Sequence, residues 1–100
     1  MSNLVLTRKA GQSVRLIIGG ESLWLYILSV TGGSCYMIVK KLEDDTNCES
    51  QERVRFRGEM QISDCVKVTV LDLAKGHAKL GFEAPRDVHI LRTELIKEDV

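Results

Sequence analysis

Apolar side chains alternate with polar ones along much of this 100-residue chain, and this period of two constrains the fold more than any other feature. A strand with one buried face shows this pattern, whereas an amphipathic helix repeats every three or four residues. Glycine-containing segments that suit tight turns separate the runs. The pattern predicts a mainly β protein with antiparallel strands. The clearest runs are Val14, Leu16 and Ile18; Leu23, Leu25 and Ile27; Val66, Val68 and Val70; and Val88 and Ile90.

The composition fits one globular domain over residues 1–100, with 44% apolar and 28% charged residues. The 14 basic residues balance the 14 acidic ones, so binding to a polyanion would depend on local patches rather than on net charge. No apolar run approaches the ~20 residues that a membrane-spanning helix needs. The first residues lack the pattern of a secretory signal. We therefore expect a cytoplasmic protein with no membrane partner.

The residue types that often carry chemistry are scattered. Cys35, Cys48 and Cys65 are odd in number and form no paired motif, which argues against a disulfide framework or a zinc site. We expect Cys35 and Cys65 to be buried and Cys48 to be exposed. His77 and His89 have no acidic or cysteine partners close in sequence, so we expect structural roles. No catalytic residue, cofactor or metal is predicted, and we do not expect an enzyme.

A weak internal repeat appears when residues 21–44 are aligned with residues 64–87, an offset of 43. Apolar positions and one turn glycine coincide, although few residues are identical. The segments Arg8–Gln12 and Arg55–Glu59 can be added to the alignment. Two unrelated hairpins of equal length would match almost as well, so duplication and coincidence both stay open. Under duplication the two degenerate halves are residues 1–48 and 49–100.

Two segments do not alternate. The polar segment from Lys40 to Arg53 is interpreted as a surface connection, since it is longer than a tight turn. The segment from Arg92 to Val100 is rich in helix formers, and Thr93 suits a helix N-cap. We expect a short C-terminal helix.

Each end of the chain carries a short motif. The first is Leu6-Thr7-Arg8-Lys9 followed by Gly11-Gln12. The second is a hairpin followed by Ala84-Pro85, the strand Val88–Leu91 and Arg92. Both motifs resemble the carbon storage regulator family of bacterial RNA-binding proteins, although the Gln departs from the family's Gly-Glu. An ordinary family member is much shorter and has no counterpart to the middle of this chain.

The resemblance implies an interlocked antiparallel β-sandwich or barrel, in which the first strand of one subunit lies beside the fifth strand of the other. A duplicated chain could form this arrangement alone as a pseudo-dimer, with the first strand pairing with the last. Leu6-Thr7-Arg8 would then lie next to Ile90-Leu91-Arg92, and one RNA site would result. The opposite site would draw on Arg53–Gly58 and Asp44–Gln51, which lack the motifs. A monomeric pseudo-dimer and a homodimer both stay open.

The resemblance further implies recognition of GGA motifs in the hairpin loops of mRNA or small RNA, with translation affected because the ribosome-binding site is covered. Leu6 and Ile90 would supply apolar surfaces, Arg92 would read a base, and Lys9 and Arg86 would contact phosphates. The alternative is a protein-interaction module or antagonist of ordinary family members that has lost RNA affinity. The candidate RNA-binding residues are Leu6, Thr7, Arg8, Lys9, Ala84, Pro85, Arg86, Ile90, Leu91 and Arg92.

Aromatic residues also cluster on the predicted strands. Trp24 and Tyr26 share a strand face, and Tyr36 lies opposite on the return strand. These rings could stack on bases, or they could pack in the core or against a partner protein. Both alternatives stay open.

A run of alternating arginines follows the polar middle segment. Arg53, Arg55 and Arg57 share one strand face, as an RNA-contacting stripe or as a solvated edge that discourages aggregation. On either interpretation we expect Val54 and Phe56 to point inward.

Overall fold

A computed structural model describes residues 2–41, 50–74 and 76–92, and every regular element in these residues is a β-strand. The prediction of a mainly β, antiparallel protein is confirmed. The predicted C-terminal helix and Cys48 lie outside the described residues. The strands are β1 (Ser2–Lys9), β2 (Ser13–Ile18), β3 (Glu21–Val30), β4 (Ser34–Lys40), β5 (Ser50–Arg55), β6 (Glu59–Ser63), β7 (Val66–Ala74), β8 (His77–Ala84) and β9 (His89–Arg92).

Two antiparallel sheets form the molecule, and each draws strands from both ends of the chain. The first sheet has the order β1-β8-β7-β6, and the second has the order β5-β4-β3-β2-β9. Leu6 lies opposite Leu80 in the ladder between β1 and β8. Leu16 lies opposite Ile90 in the ladder between β2 and β9. The first and last strands therefore each complete a sheet built largely from distant sequence.

The core lies between the sheets and contains most of the residues that alternation marked as inward, while Ile18, Val88 and Ile90 are partly buried against it. Leu16, Leu25, Val68 and Phe82 are almost completely buried. Burying an apolar side chain of this size contributes about 1.5–3 kcal/mol relative to exposure, which explains why the period-two pattern decides which strand face points inward. In the described part of the chain, no helix is long and apolar enough to cross a membrane.

The two halves have the same hydrogen-bonding pattern. The ladder between β3 and β4 and the ladder between β7 and β8 pair residues at the predicted offset of 43. Both ladders also shift register at the same place, so that Leu28 in β3 and Leu71 in β7 are the extra residues of equivalent bulges. The two hairpins therefore share a bulge position as well as a length.

The turns that follow β1 and β5 are also equivalent, at an offset of 46. Gly11 donates its N–H to the carbonyl of Ile27 at 2.7 Å, and Arg57 donates to the carbonyl of Val70 at 2.7 Å. The alignment of Arg8–Gln12 with Arg55–Glu59 is therefore wrong by one residue, because Gly11 corresponds to Arg57. Both residues have positive φ, 91° and 67° respectively.

Three other predictions need correction. Part of the supposed surface connection is β5, an edge strand in which only Val54 is deeply buried, so it shows no alternation. Phe56 is 48% exposed because it lies in the turn after β5 rather than in a strand. Cys65 is exposed in the turn between β6 and β7, whereas Cys35 is buried as predicted.

The left-handed conformation at the two equivalent turns predicts unequal responses to substitution. Gly11→Ala should lower the free energy of unfolding by about 1 kcal/mol, because a Cβ disfavours positive φ. Arg57→Gly should change stability by less than about 0.5 kcal/mol, because relief at φ 67° offsets the added freedom of the unfolded chain. Urea denaturation measures both values. Equal losses for the two variants would contradict this assignment.

Burial also makes the two described cysteines differ in thiol reactivity. It raises the pKa of the Cys35 thiol from 9.0 to about 11, since the thiolate is disfavoured inside the core. The contribution of this group to stability is therefore full below pH 9 and lost as the pH rises towards 11. In a Cys48→Ser variant at pH 8, a thiol reagent should modify Cys65 quickly and Cys35 only after unfolding. Mass spectrometry of the labelled peptides distinguishes the two sites.

Candidate nucleic-acid interface

The strands β1 and β9, which carry the two terminal motifs, do not pair with each other. β1 pairs with β8 in the first sheet, and β9 pairs with β2 in the second. The predicted pairing of the first strand with the last is therefore wrong. The reason is that each strand adds to the outer edge of its own sheet, so the motifs lie on two separate edges.

The start of β2 nevertheless brings these two edges together. Arg8 at the end of β1 donates from its Nη1 to the carbonyl of Ser13, at 3.3 Å. Arg92 at the end of β9 lies opposite Val14, the next residue of β2. The C-terminal ends of β1 and β9 thus meet around Ser13 and Val14, and the two motifs lie near one another without sharing a ladder.

Two of the predicted contact residues on β1 are inaccessible in this arrangement. Arg8 is 3% exposed, and its Nε donates to its neighbour Thr7 at the carbonyl, at 2.9 Å. Leu6 is 5% exposed and belongs to the core. The prediction that Leu6 offers a surface to a base is wrong, because its side chain lies on the inward face of β1. Arg8 holds backbone together rather than projecting into solvent.

The remaining basic and polar residues among the candidate RNA-binding residues are exposed. They are Thr7 and Lys9 on β1, Arg86 in the turn after β8, and Arg92 on β9. The backbone N–H of Lys9 donates to Oε1 of Gln12 at 2.8 Å, so the Gln that departs from the family pattern closes this turn. An amide oxygen accepts this bond as a carboxylate would, which explains how the substitution preserves the turn.

The apolar residues of the second motif divide by depth. Ala84 is buried at the end of β8, and Pro85 is half-buried and accepts a hydrogen bond from Val88 N–H at 3.1 Å. Ile90 is half-buried against the core, and Leu91 is 37% exposed. Ala84 and Pro85 therefore shape the turn that leads to β9, while Leu91 offers an apolar surface.

We call the exposed surface formed by β1, β9 and the turn after β8 the edge region. Arg86 lies at one end of it, and Lys9 and Arg92 lie at the other end. Ala84 lies opposite Ser2 at the start of β1, and Lys9 ends that strand seven residues later. At about 3.3 Å per residue, the distance along β1 is roughly 23 Å. The arrangement can hold an extended polyanion by its phosphates at both ends and leave an apolar region between them.

The sequence argument missed two groups of residues. Ser13 and Val14 join the motifs, but a Ser at the start of an ordinary strand carries no signal of that role. Leu4 and Val5 are 37% and 47% exposed on β1. They were overlooked because alternation alone does not show which apolar residue of an edge strand faces outward.

The equivalent region on the other side of the molecule differs in sequence. β5 pairs with β4 as β1 pairs with β8, so that Val54 occupies the position of Arg8 and Glu52 that of Leu6. Val54 is buried, whereas Glu52 is exposed. In the described residues, no strand pairs with the outer edge of β6 as β9 pairs with β2. At this second edge, Glu52 adds a negative charge, and Val54 stands where the first edge has the buried Arg8.

These features define an antiparallel two-sheet β protein whose basic edge strands come from the two ends of the chain. Residues 55–99 match the sequence profile of CsrA, a global regulator protein family. The chain is 42% identical over 45 residues to the translational regulator CsrA of Clostridium novyi, covering 44% of this chain and 62% of that protein. It is 43% identical over 37 residues to CsrA of Hydrogenovibrio crunogenus, covering 37% and 53%.

A third relative is CsrA of Clostridium botulinum, 50% identical over 36 residues, which cover 36% of this chain and 51% of that protein. The chain thus spans about half to three-fifths of the length of these curated relatives. The second half of the chain is thus similar to the CsrA family. No solved structure matches. The described residues contain no group of His, Cys, Asp or Glu suited to a metal ion.

The buried position of Arg8 predicts a structural effect of its removal. Arg8→Ala should lower the free energy of unfolding by about 1.5–3 kcal/mol, because charge-assisted hydrogen bonds to the carbonyls of Thr7 and Ser13 are lost. Lys9→Ala, one residue away and exposed, is the matched control and should change stability by less than about 0.5 kcal/mol. Urea denaturation compares the two. An unchanged midpoint for Arg8→Ala would contradict the assignment.

Proposed function

We propose that this protein is an RNA-binding post-transcriptional regulator that recognises GGA motifs in RNA hairpin loops. The observation that carries the proposal is the convergence of β1 and β9 at Ser13 and Val14, which places Lys9 and Arg92 at one end of the same edge region. The curated relatives are named translational regulators, which supports the same class of function. Binding over a ribosome-binding sequence would repress translation by occlusion, without chemistry, in the cytoplasm.

The accessible residues receive revised roles in this proposal. Arg92 reads a base through its planar guanidinium, while Lys9 and Arg86 contact phosphates. Backbone groups on the outer edge of β1 contact the unpaired bases, since specific RNA readers target splayed loops. Thr7 and Leu91 complete the surface. The buried residues Arg8, Leu6 and Ala84 hold the strands of this surface in place. The half-buried residues Pro85 and Ile90 pack beside it.

We further propose that the chain is a duplicated, single-chain pseudo-dimer with halves 1–48 and 49–100. The shared bulge at Leu28 and Leu71 and the equivalent turns at Gly11 and Arg57 support this organisation. The chain then needs no second subunit to bring its first and last strands together. Because Glu52 and Val54 replace the equivalents of Leu6 and Arg8, the opposite site is inactive, and one RNA is bound per chain.

A titration with a GGA-containing hairpin RNA tests the site. Arg92→Ala should weaken binding tenfold to hundredfold, from a loss of about 1–3 kcal/mol, and should reduce the preference over a GGA→CCA hairpin. Lys9→Ala should weaken binding to both hairpins. It should also make the dependence of log affinity on log salt concentration shallower, by the amount expected for about one lost phosphate contact. Fluorescence anisotropy measures both affinities.

Several outcomes would contradict the proposal or a part of it. If the wild-type protein binds the two hairpins equally, or binds neither at low salt, the protein-interaction or antagonist alternative replaces the regulator. If Arg92→Ala is folded and binds as wild type does, the role of β9 is wrong. A stoichiometry of two equal RNA sites per chain would contradict the inactive second site, and sedimentation would separate a monomeric pseudo-dimer from a homodimer.

A further inference from the structure

The outer face of the second sheet is chemically unlike the rest of the molecule. The single Trp and both Tyr residues of the chain lie on it, at Trp24, Tyr26 and Tyr36. All three are half-buried, since the alternate residues of the same strands fill the core. Packing in the core, one of the alternatives that the sequence left open, is therefore ruled out for these rings, and they line a surface.

Each of these rings has a cation beside it. The guanidinium carbon of Arg15 lies 5.3 Å from the Trp24 ring centroid, and the Nζ of Lys40 lies 5.2 Å from that of Tyr26. The guanidinium carbon of Arg53 lies 5.4 Å from the Tyr36 centroid. Cation–π contact holds these long side chains over the sheet.

The cross-strand register makes these contacts parts of one surface. Arg15 lies directly opposite Trp24, which lies opposite Lys40 on its other side. Tyr36 lies opposite Arg53, and Tyr36 Oη donates to Oε1 of Gln51 at 2.9 Å. Four neighbouring strands, β2 to β5, thus contribute to a single aromatic and basic face.

The charge on this face has one sign. Among the described outward-facing residues of β2 to β5, the charged side chains are all basic, and none is a carboxylate; they are Arg15, Lys40, Arg53 and Arg55. The whole chain has a formal net charge of zero, so its composition does not indicate a basic surface. The grouping of these basic side chains on one face nevertheless creates a local positive field.

The first sheet supplies an internal comparison with the same backbone pattern. At the positions equivalent to Trp24, Tyr26 and Tyr36, its outer face has Lys67, Thr69 and Lys79. Lys67 there contacts two carboxylates, Glu59 at 3.2 Å and Glu83 at 3.3 Å. Hydrogen bonds to Glu59 and then Glu83 raise the Lys67 pKa. That face is charge-balanced and has no ring at these positions, so the fold by itself does not require the aromatic and basic face.

We propose that the outer face of β2 to β5 binds an unpaired RNA segment by stacking bases on Trp24, Tyr26 and Tyr36 while Arg15, Lys40 and Arg53 contact phosphates. Stacking suits any base, so this surface is tolerant of sequence, unlike the edge region that carries Arg92. The charge complementarity of an all-basic face with a polyanion favours RNA over a protein partner. The choice of RNA over DNA rests on the proposed function.

Trp24 is the only tryptophan, so its fluorescence reports directly on this face. Titration with the unstructured oligonucleotide U12, which lacks GGA, should quench the emission. Binding should weaken with salt at a slope of about −2, as expected for about three phosphate contacts on a single strand. No quenching in 50 mM salt would overturn the proposal.

Two variants test the face, and two others serve as controls. Tyr36→Ala should weaken U12 binding about tenfold or more by removing a stacking surface. Arg53→Glu, at an exposed position, should weaken it by a similar factor without threatening the fold. Lys79→Glu makes the same charge change at an exposed position of the first sheet and should leave U12 binding within about twofold. Arg92→Ala should also leave U12 binding unchanged.

These variants separate the failure of this proposal from failure of the GGA site. Loss of GGA preference in Arg92→Ala with U12 binding intact supports two surfaces. Equal loss of U12 binding in Lys79→Glu and Arg53→Glu indicates attraction by overall charge and overturns the stacking face. If U12 does not bind and sedimentation shows a dimer that Tyr36→Ala dissociates, the face is instead an interface between two copies.

Discussion

The ladder between β1 and β8 is the interaction on which the rest of the structure depends. It joins the first strand of the chain to a strand 68 to 82 residues away, with Ser2 opposite Ala84 and Lys9 opposite His77. This ladder covers the edge of β8 and carries Arg8 to the carbonyl of Ser13. The start of β2 then lies between the two terminal motifs. Without the ladder, the motif on β1 would have no fixed position relative to Arg92, which β9 holds against β2.

The two halves share a backbone pattern but not a chemistry. Equivalent bulges and turns give both sheets the same register, so differences between equivalent positions reflect side chains alone. Val54 occupies the position equivalent to Arg8, and Lys79 occupies the position equivalent to Tyr36. The edge region thus has a basic residue that the opposite edge lacks at the equivalent position. The outer face of the second sheet has aromatic rings at positions where the outer face of the first sheet has none. A pseudo-symmetric scaffold therefore carries two asymmetric surfaces.

Much of the fold was predictable from local pattern, and less of the candidate site. Alternation identified the inward residues of β2, β3 and β7, and the offset of 43 residues anticipated the shared register. The same reasoning failed for β5, because an edge strand with one buried residue shows no period. It also left Arg8 and Leu6 as surface residues, because the inward face of an edge strand depends on the partner sheet.

The sequence by itself determined the strand periodicity, the turn positions, the basic ends and the lack of net charge, since each follows from residue type and spacing. Only the tertiary structure decided which edges meet. It placed β1 and β9 on separate sheets, buried Arg8 against Ser13, and gathered Trp24 and Tyr36 with their cations on one face. The physical reason is that cross-strand pairing joins residues far apart in sequence, and hydrogen-bond register is a property of both strands together.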